Sequence, residues 1–389
     1  MKKLFSYLFF IAVSSNIYAQ PTSSPIDKKA TKETKALYKN LRSLMSKGIM
    51  FGHQDDPAYG VNWKYQPGRS DIKDITGDYP ALYGFELGRI ELDHTLNLDS
   101  VPFDSARRYI EQAYARGGVI TISWHLNNPL NGEVAWAPEP GRAVASVLPG
   151  REKNTLYKSW LDKVATFVLS LKGKNGEPIP VIFRPFHELN GNWFWWGKDH
   201  CTPQEFEQLW HLTVSYLKDK KNIHQILYAF STDKFSSKEE YLAKYPGDEW
   251  VDIIGFDSYQ RKGGAEGNAD YIKAMDTMLT MLDEIAVEKN KIPALTEFGY
   301  SEIPDSTWWT NVLYKAIGHH KISYMLAWRN AGYKSPTETE YYVPYKGQAS
   351  EKNFIKFYQM PNILFQKNIN YKMIYQTVPL SPSKYKLNK

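Results

Sequence analysis

A single cysteine, Cys201, stands in 389 residues, so no internal disulfide can form. A chain this long buries enough apolar surface to fold without covalent staples. The nucleotide loops are missing too: no G-x-G-x-x-G or Walker glycine run follows a strand-like segment. No G-x-S-x-G elbow offers a serine nucleophile. No H-x-H, H-E-x-x-H or Cys–His spacing marks a metal site, so neither a metal nor a cofactor is expected. Charge is not clustered. The 48 basic and 42 acidic residues leave a net +6 spread along the chain, which argues against a nucleic-acid partner. The longest apolar run, residues 4–13, is too short to span a bilayer.

That run instead has the outline of an export signal. Met1-Lys2-Lys3 gives a positive start, the apolar run follows, and small and polar residues lead to Tyr18-Ala19-Gln20. Residues 1–19 are therefore expected to be removed, and the product to reach the periplasm or the outside as a monomer with no membrane attachment. Residues 20–33 read as a polar leader or linker. What is abundant is aromatic: 15% of the chain, with 12 Trp and 27 Tyr. Such rings either fill a large core or offer flat faces to sugar rings.

From residue 34 one rhythm repeats. Short apolar runs at 48–52, 81–85, 119–124, 180–183, 225–230, 251–256, 294–296 and 323–328 read as eight buried parallel strands. Amphipathic stretches at 34–47, 104–116, 155–172, 203–218, 269–287, 307–319 and 351–358 read as helices. Thr202-Pro203 with Glu205 supplies a helix start. The fold class is α/β, a (β/α)8 TIM barrel forming one catalytic domain over 34–361, with a tail at 362–389 that packs on the barrel or frays.

Barrel sites lie where strands end. The end of the fourth strand gives Arg184-Pro185-Phe186-His187-Glu188, and that of the seventh gives Glu297-Phe298-Gly299-Tyr300. The two glutamates are about three βα units apart, which sets them on facing walls of one mouth. Two carboxyls so placed can flank a glycosidic bond; a short separation gives retention and a longer one inversion. His187 and the Trp-rich loop would keep Glu188 protonated as acid/base, and Arg184 would hold Glu297 ionised as nucleophile. His125 and His187 read as hydrogen-bond donors to hydroxyls, and His319-His320 as surface.

At these residues the chain resembles the mannanases of glycoside hydrolase family 26. Arg184-Pro185-Phe186-His187-Glu188, then Asn190-Gly191-Asn192-Trp193-Phe194-Trp195-Trp196, is similar to that family's acid/base segment. Thr296-Glu297-Phe298-Gly299 is similar to its nucleophile segment. Phe51-Gly52-His53-Gln54, Ser123-Trp124-His125, Gly255-Phe256-Asp257-Ser258-Tyr259 and Trp328-Arg329-Asn330 extend the likeness over roughly residues 35 to 360. The resemblance implies retaining hydrolysis of β-1,4-mannosidic bonds in mannan, galactomannan or glucomannan. It implies that His187, Tyr259 and Trp328 line the subsite of the attacked mannose. Trp193 and His125 would meet the leaving sugar, Arg329 the next sugar on the glycone side, and Trp136 would stack on the aglycone side. Alternatives are a mannobiose-releasing exo enzyme, a hydrolase of xylan or mixed-linkage glucan, and an inactive carbohydrate-binding barrel. The segments 127–142 and 260–268 are the candidate walls of the cleft.

Overall fold

A computed structural model describes residues 24–335 and 338–377. The expected export signal at 1–19 and the end of the expected tail, 378–389, lie outside the described residues. Eight parallel strands form the barrel: β1 Ile49–Gln54, β2 Leu82–Glu86, β3 Val119–Trp124, β4 Val181–Pro185, β5 Ile226–Thr232, β6 Ile253–Gln260, β7 Ile292–Tyr300 and β8 Tyr324–Ala327. Each pairs with the next, and β8 returns to β1 with Phe51 opposite Met325 and His53 opposite Ala327. Closure removes the sheet edges. Every residue of these strands is buried, which is why their sequences are apolar runs without alternation.

The main outer helices are α1 Lys32–Leu44, α2 Phe103–Arg116, α3 Asn154–Ser170, α4 Pro203–Ser215, α5 Gly264–Lys289 and α6 Glu351–Tyr358. Thr202 caps α4: its Oγ1 accepts from the Glu205 backbone N at 3.2 Å, and Glu205 Oε2 accepts from the Thr202 N at 2.9 Å. This reciprocal pair satisfies two of the otherwise unpartnered N–H groups of the helix start. No helix among the described residues is long and apolar enough to cross a membrane.

The observed elements depart from the expected bounds in an informative way. Strands β1, β6 and β7 run past their apolar stretches to Gln54, Gln260 and Tyr300. Hydropathy marks only the part of a strand inside the core, whereas the ladder continues into the polar mouth. The helix expected at 307–319 is instead a π-helical turn, Trp309–Leu313, followed by one α turn, Tyr314–Ile317. The wide turn lies where two consecutive tryptophans are both buried: Trp308 Nε1 donates to Gln260 Oε1 at 2.7 Å and Trp309 Nε1 to Ser350 Oγ at 3.2 Å.

The expected linker also needs correction. Residues 24–31 are docked, because Ile26 N donates to Asp252 Oδ1 at 2.8 Å and Asp27 Oδ2 lies 2.7 Å from His224 Nδ1. Thr31 then caps α1, which starts at Lys32 and not at 34. At the other end, Ile363–Leu364 extends the sheet beside β1, and Phe365 stacks on Phe51 with ring centroids 4.9 Å apart. The Phe51 ring also meets Phe298, Trp309, Phe354 and Phe357 edge-on, joining β1, β7 and α6. Phe51→Ala is expected to cost about 3–5 kcal/mol, whereas Tyr333→Ala, at a side chain 69% exposed, should change stability by less than about 0.5 kcal/mol. Urea unfolding midpoints test this, and equal midpoints for the two variants would refute the role given to the ring cluster.

Candidate active site

Backbone irregularities aim the two glutamates. Between β6 and β7, Phe256 pairs with Leu295 but Asp257 pairs with Glu297, so Thr296 is an extra residue on β7. The β7–β8 register slips at the same place, from Leu295–Met325 to Phe298–Ala327. Such a bulge re-aims the side chain beside it. After β4, Phe186 and Glu188 both adopt left-handed φ, 54° and 53°, at about 1–2 kcal/mol each. The turn is held because Glu188 N donates to Ser231 O of β5 at 3.0 Å and Gly191 N to Glu188 O at 2.9 Å.

Arg184 lies between the carboxylates, 1% exposed. Its Nη2 donates to Glu297 Oε1, and its Nη1 to Asp257 Oδ2 at 3.0 Å and Ser231 Oγ at 3.2 Å. Tyr259 Oη donates to the other oxygen of Glu297 at 2.6 Å. Both Glu297 oxygens therefore accept charge-stabilising hydrogen bonds. Burial and the neighbouring Glu297 drive the Asp257 carboxyl well above its ordinary range, against the pull of Arg184 and the Thr296 hydroxyl. Burial thus disfavours a second negative charge on Asp257 beside Glu297.

Glu188 has the opposite setting. Its carboxyl is pushed well up by burial, then by the charges of Asp257, Glu297 and Asp233; only the indole of Trp193, donating to Oε2 at 2.7 Å, works the other way. Burial thus favours the proton on Glu188, whereas Glu297 accepts hydrogen bonds on both oxygens.

The flanking residues fall into groups. Burial, Arg184 and His125 hold His187 well below the usual histidine range, so its ring is neutral. It meets His125 edge-on at 4.4 Å. The Nδ1 of His125 lies 2.8 Å from Glu86 Oε2. Burial opposes the charge of Glu86, yet His125 and Ser123 outweigh it and lower the carboxyl to about 2. An ionised Glu86 accepts the Nδ1 proton and leaves His125 Nε2 for other partners. Trp136 stacks on His125 at 4.9 Å and, like Trp193, remains exposed. Trp328 lies 6.2 Å from His125.

Trp136, Trp193, Glu188 and Tyr259 line a cleft of about 330 Å³ with Asp233, Lys234 and Arg261. Arg329 stands apart, ion-paired with Asp99 and with Glu340, the latter at 2.8 Å. Trp195 and Trp196 are buried supports that donate to Leu126 O and His187 O. His187, Asp257 and Glu297 bring three possible ligand atoms together, but Arg184 and Tyr259 already bond the two oxygens of Glu297.

Glu86, Asp233, Lys234 and Arg261 were not singled out from sequence. Glu86 closes the second strand and Asp233 follows the fifth, and the strand-end rule applied there would have found them.

A closed barrel with carboxylates and exposed aromatic faces at its strand ends has the build of a barrel hydrolase. The family is specific: residues 26–334 match the model of Glycosyl hydrolase family 26, and the chain belongs to that family. It is similar to a mannan endo-1,4-beta-mannosidase of Bifidobacterium adolescentis, 32% identical over 354 residues, which cover 85% of this chain and 34% of the relative. The chain thus spans about a third of that relative's length. One of Bacillus subtilis is 26% identical over 358 residues, covering 85% of this chain and 89% of the relative. Among solved structures, a GH26 beta-mannanase from Bacteroides ovatus superposes with TM-score 0.84 at 46% identity, covering 88% of this chain and 97% of that one.

The Trp193 contact carries a test. Its N–H stabilises the Glu188 carboxylate, so Trp193→Phe should raise the pH at which Glu188 loses its proton. The ¹³C shift of the labelled carboxyl, identified by its loss in Glu188→Gln, follows this titration. A midpoint unchanged or moved to lower pH would show that the indole does not hold the carboxylate.

Proposed function

We propose that this chain is a retaining endo-β-1,4-mannanase acting on mannan, galactomannan or glucomannan. The observation that carries the reading is the opposite electrostatic setting of two glutamates in one mouth: Glu188 holds its proton, while Glu297 receives donors on both oxygens. Family membership and the names of its relatives point to β-1,4-mannosidic bonds.

In the first step Glu297 attacks the anomeric carbon while Glu188 gives its proton to the leaving oxygen. The glycosidic bond breaks and a covalent glycosyl-enzyme forms. Glu188, now a carboxylate, takes a proton from water as that water attacks the same carbon and releases Glu297. Arg184 and Tyr259 fix the attacking carboxylate in place. His187, Tyr259 and Trp328 hold the attacked sugar, Trp193 and His125 the leaving sugar, Trp136 a sugar beyond it, and Arg329 the next sugar on the glycone side. An export leader at 1–19 would deliver the enzyme to polysaccharide outside the cytoplasm.

Glu188→Ala and Glu297→Ala should each lower kcat on linear mannan by at least about 10³-fold. NMR of the first product should show the β-anomer before mutarotation. Normal turnover in either variant sinks the assignment of roles; the α-anomer first sinks retention. Release of mannobiose alone at early times would replace endo with exo action, and cleavage of xylan or mixed-linkage glucan in preference to mannan would replace the substrate.

A further inference from the structure

Away from the mouth, α5 and the segment entering β8 bring four ligating side chains together. Asp276 and Asp283 are two turns apart on one face of α5. His319 and His320 come just before β8. Both imidazoles turn to the same carboxylate oxygen, with His319 Nε2 2.7 Å and His320 Nε2 3.1 Å from Asp276 Oδ1. His320, read from sequence as surface, is 9% exposed, and its other nitrogen, Nδ1, lies 2.9 Å from Asp283 Oδ2.

We propose that this cluster is a binding site for a late first-row divalent cation, Zn²⁺ above all, with His319 Nε2, His320 Nε2 and an Asp276 oxygen as ligands. A tetrahedral zinc with bonds near 2.0–2.1 Å spaces its ligand atoms about 3.3 Å apart. The three atoms already lie within 4.8 Å of one another. The adjustment falls on His319 and Asp276, whose side chains are 62% and 46% exposed. Two imidazoles and one carboxylate select zinc, copper or nickel over the hard, oxygen-seeking magnesium and calcium.

The second argument is the partner behind the ligand. Asp283 holds Nδ1 of His320 and leaves Nε2 to the metal, the carboxylate–histidine–metal relay that orients zinc-bound imidazoles. The open side of the cluster faces water, which completes the tetrahedron. The bound ion would tie the helix between β6 and β7 to the start of β8. It sits at the end of β8 opposite the catalytic mouth, so it would stabilise the barrel without entering the reaction.

The test uses the untagged full chain, stripped with a chelator and dialysed against micromolar zinc chloride. Wild type should take up one zinc per chain and melt higher with zinc than without it. His319→Ala, at an exposed position, should lose that uptake and that melting shift while hydrolysing mannan at the wild-type rate. Asp283→Asn should bind about 10–100-fold more weakly. Failure of wild type to take up zinc, or undiminished uptake by His319→Ala, overturns the proposal. The latter would place the ion elsewhere, at His187, Asp257 and Glu297 for example, where zinc would also slow hydrolysis.

Discussion

Arg184 carries a full positive charge into the barrel with almost no access to water. Burying an ion costs several kcal/mol unless partners and hydrogen bonds compensate it. Here Glu297, Asp257 and the Ser231 hydroxyl do so, and each consequence at the mouth follows from how that one charge is shared. Two carboxylates cannot both be neutralised by one guanidinium. Burial and the nearby Glu297 raise Asp257, while Arg184 pulls it down. Glu188, already disfavoured as an anion by burial, is raised further by the carboxylates of Asp257, Glu297 and Asp233 around it. The settings of Glu188 and Glu297 are thus tied through the carboxylates around them, two of which Arg184 bonds.

That balance needs side chains placed to a fraction of an ångström, and a regular barrel would not place them. The Thr296 bulge turns Glu297 toward Arg184 and Tyr259 while sending the Thr296 hydroxyl to Asp257 at 2.7 Å. The left-handed residues after β4 fold the chain back so that Glu188 reaches Trp193. Such strain persists only where the surroundings over-determine it. The aromatic packing of Phe51, Phe298, Trp309, Phe354, Phe357 and Phe365 supplies that rigidity beneath the mouth. Function here is placed on the least regular part of the most regular architecture.

The sequence made the barrel legible because its strands are buried on both faces and so appear as uninterrupted apolar runs. Glu188 and Glu297 were legible because each closely follows such a run. Less legible were features without local hydropathy. The bulge leaves no mark in composition, and β7 looked three residues long because Glu297, Gly299 and Tyr300 are not core-like. Trp195 and Trp196 cannot be told from Trp193 by residue type. Only the fold shows that two are supports and one is exposed. Arg184 was read as the partner of Glu297, but its second carboxylate, Asp257, comes from β6 and no spacing rule joins them. Residues 24–31, polar and proline-containing, look like a linker, yet one backbone-to-carboxylate bond with Asp252 and the Asp27–His224 contact dock them.

Arg329, just past the end of β8, holds neighbouring loops together. Its guanidinium pairs with Asp99 and with Glu340 of the hairpin formed by Gly332–Ser335 and Glu338–Glu340, and Gly332 sits against residues 60–62. Three loops from different barrel units are therefore pinned at one point. An arginine has five N–H donors, so two ion pairs do not exhaust it. A wall held this way recognises by fixed geometry. Elsewhere at the mouth the faces of Trp136 and Trp193 are 46% and 39% exposed. Stacking on an aromatic face depends little on which hydroxyls a ring carries. The mouth therefore combines a wall fixed by ion pairs with open aromatic faces.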